Sequence, residues 1–150
     1  MKRKIIITIV VILLIAVIGI GTYFIIRTNN LEKYRKADKY NIKGEEIISV
    51  KTVLPELNLK KYSHEKGNTE TLVLYFEDSN KEESTKKYMD YLFENGNYIN
   101  MRLDESNKKQ IAKSADNTDD LVTIETEYTD DGFLVRIIVG PGTVKLDPIE

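Results

Sequence analysis

The chain has 150 residues, no cysteine, one histidine and a formal net charge of −2. Without cysteine it has no disulfide, no thiolate zinc site and no thiol nucleophile, so its folded part rests on its core alone. All 24 acidic residues follow Arg27 and leave the rest of the chain at net −6, a poor charge for nucleic-acid binding.

Residues 5–26 run for 22 positions without a charge, and their polar groups are Thr8, Thr22 and the Tyr23 hydroxyl. At about 1.5 Å per residue a helix of that length reaches about 33 Å, enough to cross a hydrocarbon core of about 30 Å. A cleavable secretory signal has a shorter apolar stretch and small residues at the cut. Here bulky Tyr23, Phe24, Ile25 and Ile26 close the run. The expectation is an uncleaved signal anchor embedded in the lipid bilayer, with Tyr23 and Phe24 at the outer interface. Lys2, Arg3 and Lys4 argue that residues 1–4 stay in the cytoplasm and that the remainder of this single-pass cell-membrane protein is extracytoplasmic. The opposite flank, with Arg27, Lys33, Arg35, Lys36, Lys39 and Lys43, carries more positive charge and pulls the other way.

Residues 27–44 read as a stalk or linker in which Leu31, Tyr34 and Ala37 keep helical spacing, so the membrane helix continues for some turns before Gly44 breaks it. Residues 45–150 then make one extracytoplasmic domain of ordinary size. EEIISVKTVL and LNLKKYSHEK alternate in part, Gly67-Asn68 marks a turn, and ETLVLYFED is the clearest strand, with Leu72, Leu74 and Phe76 on one side.

A helix is predicted from about Asn80 to Asn95. Ser79 and Glu82 have capping-box spacing, Glu82–Lys86 and Glu83–Lys87 are i,i+4 pairs, and Tyr88, Met89, Leu92 and Phe93 form its buried stripe. Gly96 ends it in the left-handed conformation. Four strands follow, NYINMRL, KKQIAKSA, LVTIETEY and FLVRIIVG, with a tight turn of positive φ at Asp131-Gly132 between the last two. The order β-β-α-β-β-β-β implies an α+β two-layer domain, one mainly antiparallel sheet with a helix on one face.

STKKYMDYLFENGNYI resembles the corresponding stretch of small membrane-anchored or lipoprotein-type exported proteins of Gram-positive bacteria, through Tyr88, Leu92, Asn95 and Gly96. Asn97-Tyr98 departs from the tryptophan usual there. The resemblance spans residues 71–139 and implies the α+β fold and an extracytoplasmic place, and it carries over no catalytic residues.

No motif nominates chemistry. DNTDD and TDDG look like calcium loops, but Leu121 stands where the sixth-position glycine of an EF-hand loop belongs, so a polar loop and a hairpin turn are the expectation. His64 has no partners at ligand spacing and reads as a surface residue. Gly140-x-Gly142 lacks the rest of a nucleotide fingerprint. The expectation is therefore no catalytic, cofactor or metal site. Tyr62, Tyr75 and Tyr128 are the candidate partner-binding face, since tyrosine gives large contact area at low entropy cost. The sequence thus points to a non-enzymatic, membrane-tethered domain for binding or assembly, its partner an envelope protein or a second copy. The alternative is an envelope small-ligand binder or hydrolase with its site on the open sheet face, which requires a concave pocket with convergent polar groups.

Overall fold

A computed structural model describes residues 2–104, 108–116 and 118–142, without the side chains of 2–8, 10, 23–27, 100–104 and 108. The interfacial placement of Tyr23 and Phe24 and the tail TVKLDPIE lie outside this description. The chain forms two compact units, Met1–Lys33 and Tyr34–Glu150.

In the first unit α1 (Lys2–Lys36) is helical through the entire uncharged run. Its described large side chains are bare, with Ile12, Ile15 and Val17 exposing 60%, 65% and 66% of their surface. The Thr22 hydroxyl donates to the Ile18 carbonyl at 2.7 Å, which hides its polarity within the helix. Among the described residues no helix is long and apolar enough to cross a membrane; the described side chains of the run are Ile9 and residues 11–22.

The second unit starts earlier than the sequence suggests. Part of the expected stalk folds as β1 (Lys39–Ile42), which pairs antiparallel with β2 (Glu45–Ile48). Lys43 and Gly44 join them at φ 51° and 87°, the two positive values that a two-residue hairpin loop needs. Tyr40, Ile42 and Ile47 alternate into the core and are buried. The EEIISVKTVL stretch does not continue as a strand. Ser49 accepts from the Thr52 amide at 3.2 Å and caps the single turn α2 (Val50–Val53).

The main sheet holds six strands, β3 (Leu59–Glu65), β4 (Glu70–Glu77), β5 (Ile99–Asp104), β6 (Lys108–Ser114), β7 (Asp120–Tyr128) and β8 (Gly132–Pro141). Its order is β3-β4-β8-β7-β6-β5 and every neighbouring pair is antiparallel. The crossover from β4 to the far edge at β5 contains α3 (Lys81–Asn95). The domain is thus α+β as expected, with α3 and the β1–β2 hairpin on one face of the sheet.

Several local expectations are corrected. The cap of α3 is Asn80, without a side-chain cap bond, and Asp78 Oδ1 accepts from the Asn80 amide at 2.8 Å in place of a Ser79–Glu82 box. Lys86 bonds Asp90 at 2.5 Å. Tyr88, Met89 and Leu92 are buried, whereas Phe93 is 47% exposed. At 100° per residue Phe93 lies about 80° from a stripe centred on Thr85, near the edge of the apolar face. The left-handed residue is Asn97 at φ 55°, while Gly96 has φ −121°. Gly96 is needed for space, since a Cβ there would meet the Tyr98 ring at 2.4 Å. At the β7–β8 hairpin the strands close at Tyr128–Phe133, with a Thr129 amide to Gly132 carbonyl bond of 2.9 Å across a longer loop. Asp131 and Gly132 do not have positive φ. Glycine stands at 132 because a Cβ would sit 1.9 Å from the Phe76 carbonyl oxygen on β4.

Candidate functional site

Cross-strand register divides the sheet residues into two sets. On the covered face Leu72, Leu74 and Phe76 of β4 oppose Ile137, Val135 and Phe133 of β8, which in turn oppose Ile124, Thr126 and Tyr128 of β7. Most of these side chains are fully buried, and the Phe76 and Phe133 rings stack at 5.4 Å. The other face carries three cross-strand rows: Lys61–Tyr75–Leu134–Glu127, Ser63–Val73–Arg136–Glu125–Gln110, and Glu65–Thr71–Ile138–Thr123–Ala112. Along this face Val73, Leu134, Arg136 and Ile138 are half-buried, while Thr123 and Ala112 are buried.

The uncovered face is amphipathic and ordered by its own contacts. Arg136 donates to Glu125 at 2.8 Å and lies 3.9 Å from Glu127, and Gln110 donates to the second Glu125 oxygen at 3.0 Å. These charges are partly solvated, so their pairing fixes side-chain positions more than it adds stability. Tyr75, Val73, Leu134 and Ile138 are half-buried between them. Lys61 Nζ stands 5.6 Å from the Tyr75 ring centre, within cation–π range. The arrangement offers apolar side chains on β4 and β8 interrupted by the Arg136–Glu125 pair, a surface for recognition by contact.

The three tyrosines expected to share a face are separated. Tyr75 lies on the uncovered face, paired with Lys61. Tyr62 opposes Leu74, points to the covered side and packs 5.0 Å from Tyr34. Tyr128 lies on that side as well, its hydroxyl 3.4 Å from the Thr85 hydroxyl. The period of two along each strand decides this, because Tyr62 and Tyr75 fall on opposite parities of one register.

His64, expected at the surface, is built into a hydrogen-bonded chain. Its Nε2 lies 2.6 Å from Glu70 Oε1 and its Nδ1 lies 2.6 Å from the Tyr34 hydroxyl. A carboxylate accepts only, so in the neutral imidazole the proton sits on Nε2 and Nδ1 accepts from Tyr34. Burial, with Tyr62 and Glu70 nearby, raises the Tyr34 phenol above its usual pKa, so the hydroxyl keeps its proton. The second Glu70 oxygen accepts from the Lys43 amide at 3.1 Å, while Lys43 Nζ reaches Asn68 O at 2.7 Å and Asp120 at 2.8 Å. Beside this chain the Arg35 Nε donates to Leu59 O at 2.8 Å. These bonds stitch the last turn of α1, the β1–β2 turn and β3 to β4 and the start of β7. Tyr34 and His64 are 30 positions apart, and no sequence spacing announces the pair.

The pocket required by the ligand-binding alternative is absent from the uncovered face among the described recesses. One groove of about 590 Å³ lies between α2 and α3 and is lined by Thr52, Val53, Glu83, Lys87, Asp90 and Tyr91 among others. A recess of about 250 Å³ includes Ile47, Leu92, Tyr98, Lys113 and Asp116. Among the described residues two carboxylates are buried, and both are occupied within the fold: Glu45 accepts from the Asp116 amide at 3.1 Å, and Asp120 holds Lys43. No group of three metal-binding side chains converges among the described residues. No family model, curated protein or solved structure matches the chain.

Proposed function

We propose that this chain is a single-pass membrane protein that presents its α+β domain outside the cytoplasmic membrane and binds a protein partner there through the uncovered sheet face. The observation that carries the reading is α1, a continuous helix through 22 uncharged residues whose described apolar side chains are more than half exposed at Ile12, Ile15 and Val17. Contiguous apolar surface on this scale is unfavourable in water and favourable in lipid, where a helix also closes its own backbone bonds. Lys2, Arg3 and Lys4 before the run support a cytoplasmic N-terminus. Tethering confines the domain to a thin layer and raises its effective concentration near anything in the same membrane. The amphipathic sheet face supports binding by contact, because its described polar groups pair across the surface.

Fractionation and labelling test this reading on the full chain, which has no native cysteine. The chain is expected in the membrane pellet after alkaline carbonate washing. A membrane-impermeant maleimide applied to intact cells is expected to label Glu83→Cys, on the exposed side of α3, and to reach Lys2→Cys only after permeabilisation. Recovery in the soluble fraction removes the anchor, and the reversed labelling pattern removes the orientation.

A further inference from the structure

The recess of about 250 Å³ lies between the β1–β2 hairpin, the C-terminal end of α3 and the end of β6, and it holds polar groups that the fold leaves unused. Tyr98 lines it and is 6% exposed, yet its hydroxyl has no hydrogen-bond partner among the described residues. A buried phenol ordinarily finds one. The oxygen is not among the sealed unpartnered atoms, which are Asp78 Oδ2, Thr126 Oγ1 and Thr129 Oγ1, so it is reachable from the recess. Burial, with Glu45 and Asp116 nearby, pushes the phenol well up, so the hydroxyl keeps its proton and is free to donate.

Tyr98 stands beside Lys113 because Ile99 pairs with Ala112, and the Lys113 ammonium lies 5.6 Å from the ring centre. The Lys113 side chain is only 13% exposed, and its two bonds, at 3.3 and 3.4 Å, both go to the carboxylate of Asp116, which is 72% exposed. An ammonium has three N–H groups, so a mostly buried cation keeps a donor in hand. On the hairpin Lys39 and Glu46 form a second pair at 2.7 Å, while Ile47 and Leu92 add apolar lining.

The geometry points to a binding site for one neutral sugar ring in this recess, with its hydroxyls bridging the two ion pairs and the Tyr98 phenol and its C–H face against Ile47 and Leu92. The inference goes beyond the reading of the domain as a tethered binding module and does not depend on it, since every group involved lies within residues 39–116.

Charge, chemistry and size select the class. Lys39 and Lys113 against Glu46 and Asp116 leave the lining neutral. A charged ligand would have to displace one member of a pair and leave the other unpaired. A hydroxyl both donates and accepts, so it fits between an ammonium and a carboxylate and displaces neither, and bonds to charged partners are the stronger kind. A wholly apolar ligand would bury the Tyr98 hydroxyl and the Lys113 N–H without partners, at full desolvation cost. The volume is about eight times the roughly 30 Å³ share of a water molecule, room for one ring, and it falls below the roughly 300–1,000 Å³ of sites for drug-sized molecules.

The test is saturation-transfer NMR on the full chain in vesicles of chain-deuterated phosphatidylcholine, with glucose and N-acetylglucosamine as neutral probes and glucuronate and glucosamine as charged ones. The expected result is transfer to a neutral sugar above that from empty vesicles, with weaker transfer to both charged probes. Tyr98→Phe should raise the neutral sugar's Kd about fivefold, the worth of one neutral hydrogen bond, and Lys113→Met at least about tenfold. Because the Tyr98 hydroxyl has no bond within the fold to lose, Tyr98→Phe should leave urea unfolding unchanged, which separates a binding role from a structural one. Lys87→Met, in the groove between α2 and α3, should bind as the unaltered chain does. No transfer to either neutral sugar would mean a hydrated recess only. That result, a charged probe bound as tightly as the neutral ones, either recess variant binding at the original strength, or loss of binding in Lys87→Met each overturns the inference.

Discussion

The two faces of the six-stranded sheet come from the same strands and differ only in residue parity. On β8 the odd positions Phe133, Val135, Ile137 and Val139 are fully excluded from solvent, while Leu134, Arg136 and Ile138 between them are half-buried. One parity meets α3 and the β1–β2 hairpin and makes the core. The other keeps apolar side chains beside fixed charges and is half-buried along β8. A fold needs one buried face for stability, so the composition of the second is free to serve recognition.

The sharpest way to break this comparison is to cut one residue from each face at adjacent positions. Phe133→Ala deletes a fully buried ring stacked on Phe76 and is expected to cost about 3–5 kcal/mol in urea unfolding. Leu134→Ala, one residue on, is expected to cost about 1 kcal/mol or less. Equal losses would mean that both faces are core. A smaller effect is expected at the bonds of Tyr34, where the second unit begins. His64→Phe leaves the Tyr34 hydroxyl and one Glu70 oxygen without their bonds, and it should lower stability in urea unfolding by about 1–3 kcal/mol. Unchanged stability would remove this chain of bonds from the account.

The mildest effect is on acid stability. The Lys43 ammonium, bonded to Asp120, holds that carboxyl below its ordinary value of 3.8. A depressed folded value means that the stabilisation is complete above the ordinary value and is lost as pH falls through the folded one. Asp120→Asn should therefore lower stability in the neutral region and converge with the unaltered chain as the pH falls below about 4, giving a flatter acid limb, as followed by circular dichroism. An unchanged acid limb would remove Asp120 from the account.

The sheet was legible where periodicity was strong. Leu72-x-Leu74-x-Phe76 and the last four strands declare themselves by alternation, and α3 by the spacing of Tyr88, Met89 and Leu92. The β1–β2 hairpin was hidden because Lys43-Gly44 lacks the Asn-Gly or Asp-Gly usual at such a turn, and lysine gains its positive φ from the surrounding pairs. Tyr62 was misplaced because its face follows from pairing with Leu74, and register across a turn is tertiary information. The Tyr34–His64–Glu70 chain was invisible for a similar reason, since the end of α1 meets β3 only after folding.

The most direct test of the division between the faces is urea unfolding of the full chain carrying Leu134→Asp beside the full chain carrying Val135→Asp. The account predicts that Leu134→Asp, on the half-buried parity, keeps the fold, whereas Val135→Asp loses it because a carboxylate is then set in the core. Equal loss of the fold in both would contradict it.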